Sequence, residues 1–378
     1  MSKDYLLIWP ESTRLKAINH DKRGDIQYTM PGIKNEHQID VPNIDKDLQK
    51  IYETYFNSID EQRNLEGLRQ LITKCALEYA FNATSHILKQ VGQGFGQNGQ
   101  PSQINALILQ IWSIRFQLMM SLKMHNQLVE EMLAFDELDA PDLYFQYKDP
   151  NKLGSMIPFA MRLIHAEILR FTPFPWKAIA RIKKLEGDVE RITYDMKSPG
   201  HIDDWKKRLD TVKTLHSKVL YNIGEYEKSM DVMENIRRNS ENEEKAELSR
   251  AMLRMAIFAG DERAATKYLD ESAKFPCDRL LLHKCYRTMF HGAYPHAQVY
   301  LQRLNLSSSL PIDLNRKAYN AMAILHLYTG NVRQAIGTLA ERLEIICAPM
   351  QTNLKTLSEL GLPVKYDEIL KAIKAQAT

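Results

Sequence analysis

The 378 residues carry 50 Lys and Arg against 47 Asp and Glu, a formal net charge of +3. That is too small to make nucleic acid or an anionic membrane the main partner. A hydrophobic fraction of 44% with 26% charged residues excludes a disordered chain. The length is long for one compact core but ordinary for an extended repeat array.

Residues 1–45 read as an irregular N-terminal segment, because Pro10, Gly24, Pro31, Gly32 and Pro42 interrupt any helix. Within it only the apolar run Leu6-Leu7-Ile8-Trp9 looks able to dock, as a short strand or as an anchor on the first helices. That run is too short for a signal peptide or a membrane span. Ser2 excludes myristoylation, and the tail Ala375-Gln376-Ala377-Thr378 lacks a prenylation cysteine. Cys75, Cys277, Cys285 and Cys347 form no C-x-x-C pair and read as free thiols of a cytosolic chain.

Asp45 opens the next predicted helix, with Leu48, Ile51, Tyr52, Tyr55, Phe56 and Ile59 on one stripe. Leu68, Leu71, Ile72 and Cys75, then Leu77, Ala80, Phe81, Ile87, Leu88 and Val91, predict a helix pair. The loop at 92–101 invites comparison with a dinucleotide-binding G-x-G-x-x-G, but Gln97 stands where the third glycine is required. It also follows a helix, so it reads as a connector.

A long helix is predicted over 103–122, apolar on more than one side as if flanked by neighbours, with an antiparallel partner over 125–138. The stretch 138–147 leaves the helix, and its Pro141 and clustered Tyr144, Phe145 and Tyr147 read as an ordered loop. Ser155 is placed as the cap of the following helix, which ends at Phe171-Thr172-Pro173-Phe174-Pro175. Trp176 begins another, with Ile179, Ile182, Leu185, Val189 and Ile192 inward, up to the break at Ser198-Pro199-Gly200.

Beyond that break a sparse pattern recurs about every 34 residues. Turn glycines stand at Gly224, Gly260, Gly292 and Gly330, and five residues after each comes a small one: Ser229, Ala265, Ala297 and Ala335. Seven residues before each stand Ser217, Leu253, Cys285 and Ala323; Leu253 is the misfit and raises a one-residue register shift there. Small side chains where two helices cross, and a next unit to cover the exposed flank, are what a tetratricopeptide (TPR) repeat needs. The expected fold class is therefore all-α, a TPR-like α-solenoid of antiparallel helix pairs. The expected organisation is the irregular segment over 1–45, a divergent TPR-like region over 46–197, a TPR array over 201–350 and C-terminal capping helices over 351–378.

Catalytic signals are missing from the sequence. There is no P-loop, H-E-x-x-H, EF-hand loop or nucleophile in a recognisable context. His283 and Cys285 are two apart, as are His165 and Glu167, which on a helix turns them to different faces. No enzyme, cofactor or metal is expected. Arg250, Arg254 and Arg279 fall on the first helices of successive repeats and are candidate contacts for an acidic partner segment. Tyr144, Phe145 and Tyr147 are the second candidate contact surface. An adaptor that binds short acidic or C-terminal peptides, as co-chaperones do, is the alternative to a scaffold.

Several segments outside the repeats carry a more particular resemblance. Gly92-Gln93-Gly94-Phe95-Gly96, Leu109-Gln110-Ile111-Trp112, the stretch 138–144 and the stretch 154–167 occur in order, followed by Trp205 and Arg208-Leu209. This succession resembles the subunit-12 family of the transport protein particle (TRAPP) complex in its TRAPP III form, with 154–167 the most specific piece. The resemblance implies a non-catalytic scaffold in vesicle traffic between endoplasmic reticulum and Golgi and in autophagy. It implies a cytoplasmic protein, peripheral at the intermediate compartment and Golgi, in an assembly that activates a Rab-type GTPase. The implied partners are the large TRAPP III-specific subunits eight, eleven and thirteen, with the GTPase met only indirectly. Vertebrate members carry a long N-terminal extension, and roles resident there are not carried over.

Overall fold

The computed structural model describes residues 4–21, 31–34, 65–73, 77–97, 101–147, 149–275, 277–304, 311–342 and 348–360. Among the described residues the fold is all-α, with an isolated antiparallel bridge between Tyr144 and Ser155. The helix expected from Asp45, the 361–378 part of the expected capping helices, Cys75 and Cys347 lie outside the described residues. The chain divides into two compact units, Met1–Val232 and Met233–Thr378.

The first unit opens with a 3₁₀ turn, Asp4–Leu7, and helix α1, Thr13–Asp21. The irregular segment expected over 1–45 is thus corrected: it holds a nine-residue helix. Its signal is Ser12, whose hydroxyl accepts from the Leu15 amide at 3.0 Å as an N-cap should. Helices α2 (Leu65–Thr73), α3 (Leu77–Gln90), α4 (Ala106–Ser121) and α5 (His125–Met132) follow, and from α3 on each packs on the one before. Asn105 starts α4 by accepting from the Ile108 amide at 3.0 Å. The expected partner helix over 125–138 is shorter: α5 passes into a 3₁₀ turn, Leu133–Phe135, and Asp136 and Leu138 then take positive φ.

Helices α6 (Phe159–Glu167), α7 (Trp176–Asp195) and α8 (Pro199–Asn222) complete the hairpins of this unit. Helix α4 carries its core, where Trp112, Phe116 and Phe135 meet with ring centroids 5.3–5.7 Å apart. Arg115 is fully buried beside them, donating to Glu131 at 2.8 and 2.7 Å and lying 4.2 Å over the Phe81 ring.

The division between units falls within α9, Tyr226–Asn239. The second unit continues as α10 (Asn242–Ala259), α11 (Glu262–Ala273), α12 (Asp278–Phe290), α13 (Tyr294–Arg303), α14 (Ile312–Tyr328), α15 (Val332–Ala340) and α16 (Ala348–Leu360). Each first helix packs on its own partner and on the first helix of the next pair: α10 on α11 and α12, and α12 on α13 and α14. That is the stacking a repeat array requires. Met350, Leu354 and Leu357 of α16 cover the apolar flank of the last pair, Tyr319, Ala335 and Leu339.

All four repeat turns close identically. The residue after each glycine donates its amide five residues back: Glu225 to Leu220, Asp261 to Ala256, Ala293 to Thr288 and Asn331 to His326, at 2.8–2.9 Å. Such a bond needs a left-handed residue at the turn, and the four glycines have φ of +72° to +89°. Ser229, Ala265, Ala297 and Ala335 are completely buried where the helices cross. In the first repeat Ser217 and Ser229 hydroxyls meet at 2.9 Å. The register shift raised at Leu253 does not occur, because the Gly260 turn keeps the common offsets and Leu253 is itself buried.

Candidate functional site

The segments that resemble the TRAPP subunit find one another in the first unit. Gly92 ends α3 in the left-handed region, and Gln93 beyond it accepts from the Trp112 indole N–H. Asp142 accepts from the Ser102 hydroxyl at 2.6 Å. Ser155 bridges to Tyr144, and its hydroxyl takes the Arg162 guanidinium at 2.7 Å. Ser155 does not cap α6 as expected. Pro158 occupies that N-cap position and makes no side-chain cap, and Ser155 is spent on joining the loop to Arg162.

The same residues clamp the N-terminal turn. The Ser155 amide donates to the Leu7 carbonyl at 3.0 Å. Trp205 Nε1 donates to the Tyr5 carbonyl at 3.3 Å, and Arg208 donates to the Leu6 carbonyl at 2.8 Å. Arg162 lies 3.7 Å over the Trp9 ring, and burial draws its pKa down to about 10. Tyr5 stacks on His201 at 3.7 Å, and its hydroxyl donates to Asp204. The run at 6–9 is therefore an anchor that leaves the 3₁₀ turn, with the Leu6 and Leu7 carbonyls read by α8 and the 154–155 loop. Gly154, at φ +112°, is the contact point: a Cβ there would sit 2.4 Å from the Leu7 oxygen. Of the candidate contacts on the loop, Tyr144 is buried and Phe145 half-buried under Lys152, which stands 4.1 Å over its ring. Tyr147 is exposed, so the outer face of this loop narrows to its rim.

The three candidate arginines come together in the second unit. Arg250 and Arg279 both reach Glu247 Oε1, at 3.1 and 3.0 Å. Arg250 is buried, and its Nε and Nη1 find no hydrogen-bond partner among the described residues. Arg254, one turn along α10, is exposed and its Nη1 lies 2.7 Å from His283 Nε2. His283 Nδ1 lies 2.6 Å from the Arg279 carbonyl, which only an N–H can approach so closely. Nδ1 is therefore the donor, and Nε2 presents a lone pair to Arg254. Burial holds the His283 pKa down at about 4, so the ring is neutral near pH 7.

Arg254 stands at the rim of a groove of ≈ 500 Å³ on the α10, α12 and α14 faces, where Tyr286, Phe290, Tyr294 and Tyr328 supply aromatic walls. Tyr294 and Tyr328 stack with centroids 5.8 Å apart. Sequence reasoning had the arginines but missed His283 as their orienter and these aromatics as their neighbours. The available signal was an aromatic facing solvent late in a first helix: Phe258, Phe290 and Tyr328 are 72%, 38% and 64% exposed.

No family model matches the chain. It is 24% identical over 312 residues to trafficking protein particle complex subunit 12 of Mus musculus, covering 75% of this chain and 38% of that protein. With the Homo sapiens protein of the same name the identity is 25% over 376 residues, covering 87% of this chain and 50% of that one. The chain thus spans half the length of these curated relatives, or less. A solved tetratricopeptide repeat protein from Parabacteroides merdae superposes on 80% of this chain and 98% of its own, with a TM-score of 0.43 and 9% identity. The resemblance carried by the interlocking segments is borne out: the chain is similar to trafficking protein particle complex subunit 12, on a fold of TPR-like helix pairs.

Proposed function

We propose that this chain is a non-catalytic scaffold subunit of a TRAPP-type vesicle-tethering assembly. The observation that carries the reading is the similarity to subunit 12 over most of the chain, including the segments that interlock in the first unit. Stacked helix pairs suit a passive mechanism, in which a preformed surface is offered to larger partners with little ordering cost. In this reading the chain works in traffic between endoplasmic reticulum and Golgi and in autophagy, peripheral at the intermediate compartment and Golgi. The large TRAPP III-specific subunits are its direct partners. The assembly activates a Rab-type GTPase, which this chain meets only through other subunits. The rim of the 145–147 loop and the Arg254 face are the surfaces it would offer.

Affinity purification of the tagged full chain from its own cells, followed by mass spectrometry, tests this. Recovery together with several TRAPP subunits is the expected result. Recovery with none of them, from cells that express the complex, overturns the proposal.

A further inference from the structure

We propose that the groove along α10, α12 and α14 is a docking site for an internal acidic segment of a partner protein. In this arrangement a side-chain carboxylate of the segment pairs with Arg254, and an apolar side chain seats among Tyr286, Phe290 and Tyr328. The inference rests on the groove alone and does not depend on which assembly the chain joins.

Charge is the first argument. Arg250 and Arg279 share one carboxylate, Glu247, and Arg254 has no carboxylate within ion-pair distance among the described residues. Asp313, at the start of α14, is already paired with Lys317 at 2.7 Å. A buried guanidinium with two unpartnered nitrogens on one side, and an exposed one on the next turn, leave an unbalanced positive potential. An acidic partner is the complement.

Preorganisation is the second. Free surface arginines move over many rotamers, but Arg254 is held by a neutral ring that can only accept its hydrogen bond. That ring cannot neutralise the guanidinium, so Arg254 is oriented without its charge being answered. Its remaining N–H groups keep the planar fork that suits a carboxylate.

The third argument decides between an internal segment and a chain end. Arg254 on His283 and the Arg250–Arg279 pair on Glu247 are two separate points along two helices. They match carboxylates spaced along a chain, not one terminal group. The aromatic walls lie on the other side of Arg254, and ≈ 500 Å³ accommodates a side chain of the same segment.

Fluorescence anisotropy on the full chain tests the proposal. The probe is a short amidated peptide alternating Glu with Phe and Leu. The controls are the same peptide with Lys for Glu, and a neutral peptide with a free C-terminal carboxylate. The acidic peptide is expected to bind, to weaken with added salt, and to lose roughly 10-fold or more in affinity on Arg254→Glu and again on Tyr328→Ala. Both side chains are exposed, so an unchanged thermal melt confirms that each variant is folded. Equal binding of the acidic and Lys peptides overturns the proposal. So does tighter binding of the free carboxylate, or an affinity that ignores Arg254→Glu in a folded variant. Purification reads the assembly and the titration reads the groove, so the two proposals fail separately.

Discussion

Both units are built from antiparallel helix hairpins with glycine turns closed on their own backbone, yet the first also ties its hairpins to the N-terminal segment through side chains. In the second unit every described repeat turn is closed by its own backbone, one glycine and one amide returning five residues. In the first, elements far apart in sequence are stitched through single side chains. Ser12 donates to the Asp139 carbonyl at 2.7 Å and Arg208 reaches the Leu6 carbonyl, while Arg115 makes a shorter stitch between the consecutive helices α4 and α5 through Glu131. A locally closed hairpin can repeat with almost any residues off its crossing points. A stitched one cannot, because each stitch needs one residue type at each end. The segments that carry the resemblance therefore lie where the stitching is, not in the repeats.

Breaking a stitch gives the largest expected effect. Arg115→Met leaves Glu131, 2% exposed, with no partner for its charge. The expected loss is about 3–5 kcal/mol of unfolding free energy, read by urea denaturation of the full chain. Adding Glu131→Leu removes the orphaned charge and should restore most of that loss. A single variant that loses less than about 1 kcal/mol, in the range of an exposed pair, would show the stitch to be ornamental.

Gly154→Ala comes next. The new methyl group cannot share space with the Leu7 oxygen, and the φ of +112° disfavours any L side chain. Strain and overpacking together cost about 3 kcal/mol, unless the anchor lifts away first. Hydrogen exchange separates this from general unfolding: the Ser155 amide, now bonded to Leu7, should exchange faster while amides within α4 stay protected. Unchanged protection at Ser155 would refute the anchoring role.

The same contrast explains what could be read from sequence. The repeat was legible because its constraint is local: a left-handed turn selects Gly, and a close crossing five residues on selects Ser or Ala. The first unit hid its logic because a stitch has no period. Ser155 resembles an N-cap, but its hydroxyl faces Arg162 and no helical amide of α6. Pro10 and Pro31 drew attention away from Ser12, which starts α1. Asp136 and Leu138 turn the chain out of α5 at positive φ without a glycine to announce it. The candidate site was half legible for a related reason. Arginines on successive first helices stand out, whereas the neutrality of His283 follows from burial and from one carbonyl that only the fold brings near.

The smallest effect is the most useful control. Gly260 shares a positive φ with Gly154, +76° against +112°, but a Cβ at Gly260 meets nothing within 4 Å. Gly260→Ala should therefore cost only the left-handed backbone term, about 1 kcal/mol or a little more. Gly260→Asn should cost less, since Asn tolerates that region. Hydrogen exchange of the Asp261 amide, which closes the turn onto Ala256, is the local readout and should change little. If Gly260→Ala proves as costly as Gly154→Ala, the turns of the second unit depend on contacts beyond their own backbone, and the division between locally closed and stitched hairpins fails. If the two differ by about 2 kcal/mol, backbone conformation alone governs the Gly260 turn, and the close approach of Leu7 governs Gly154.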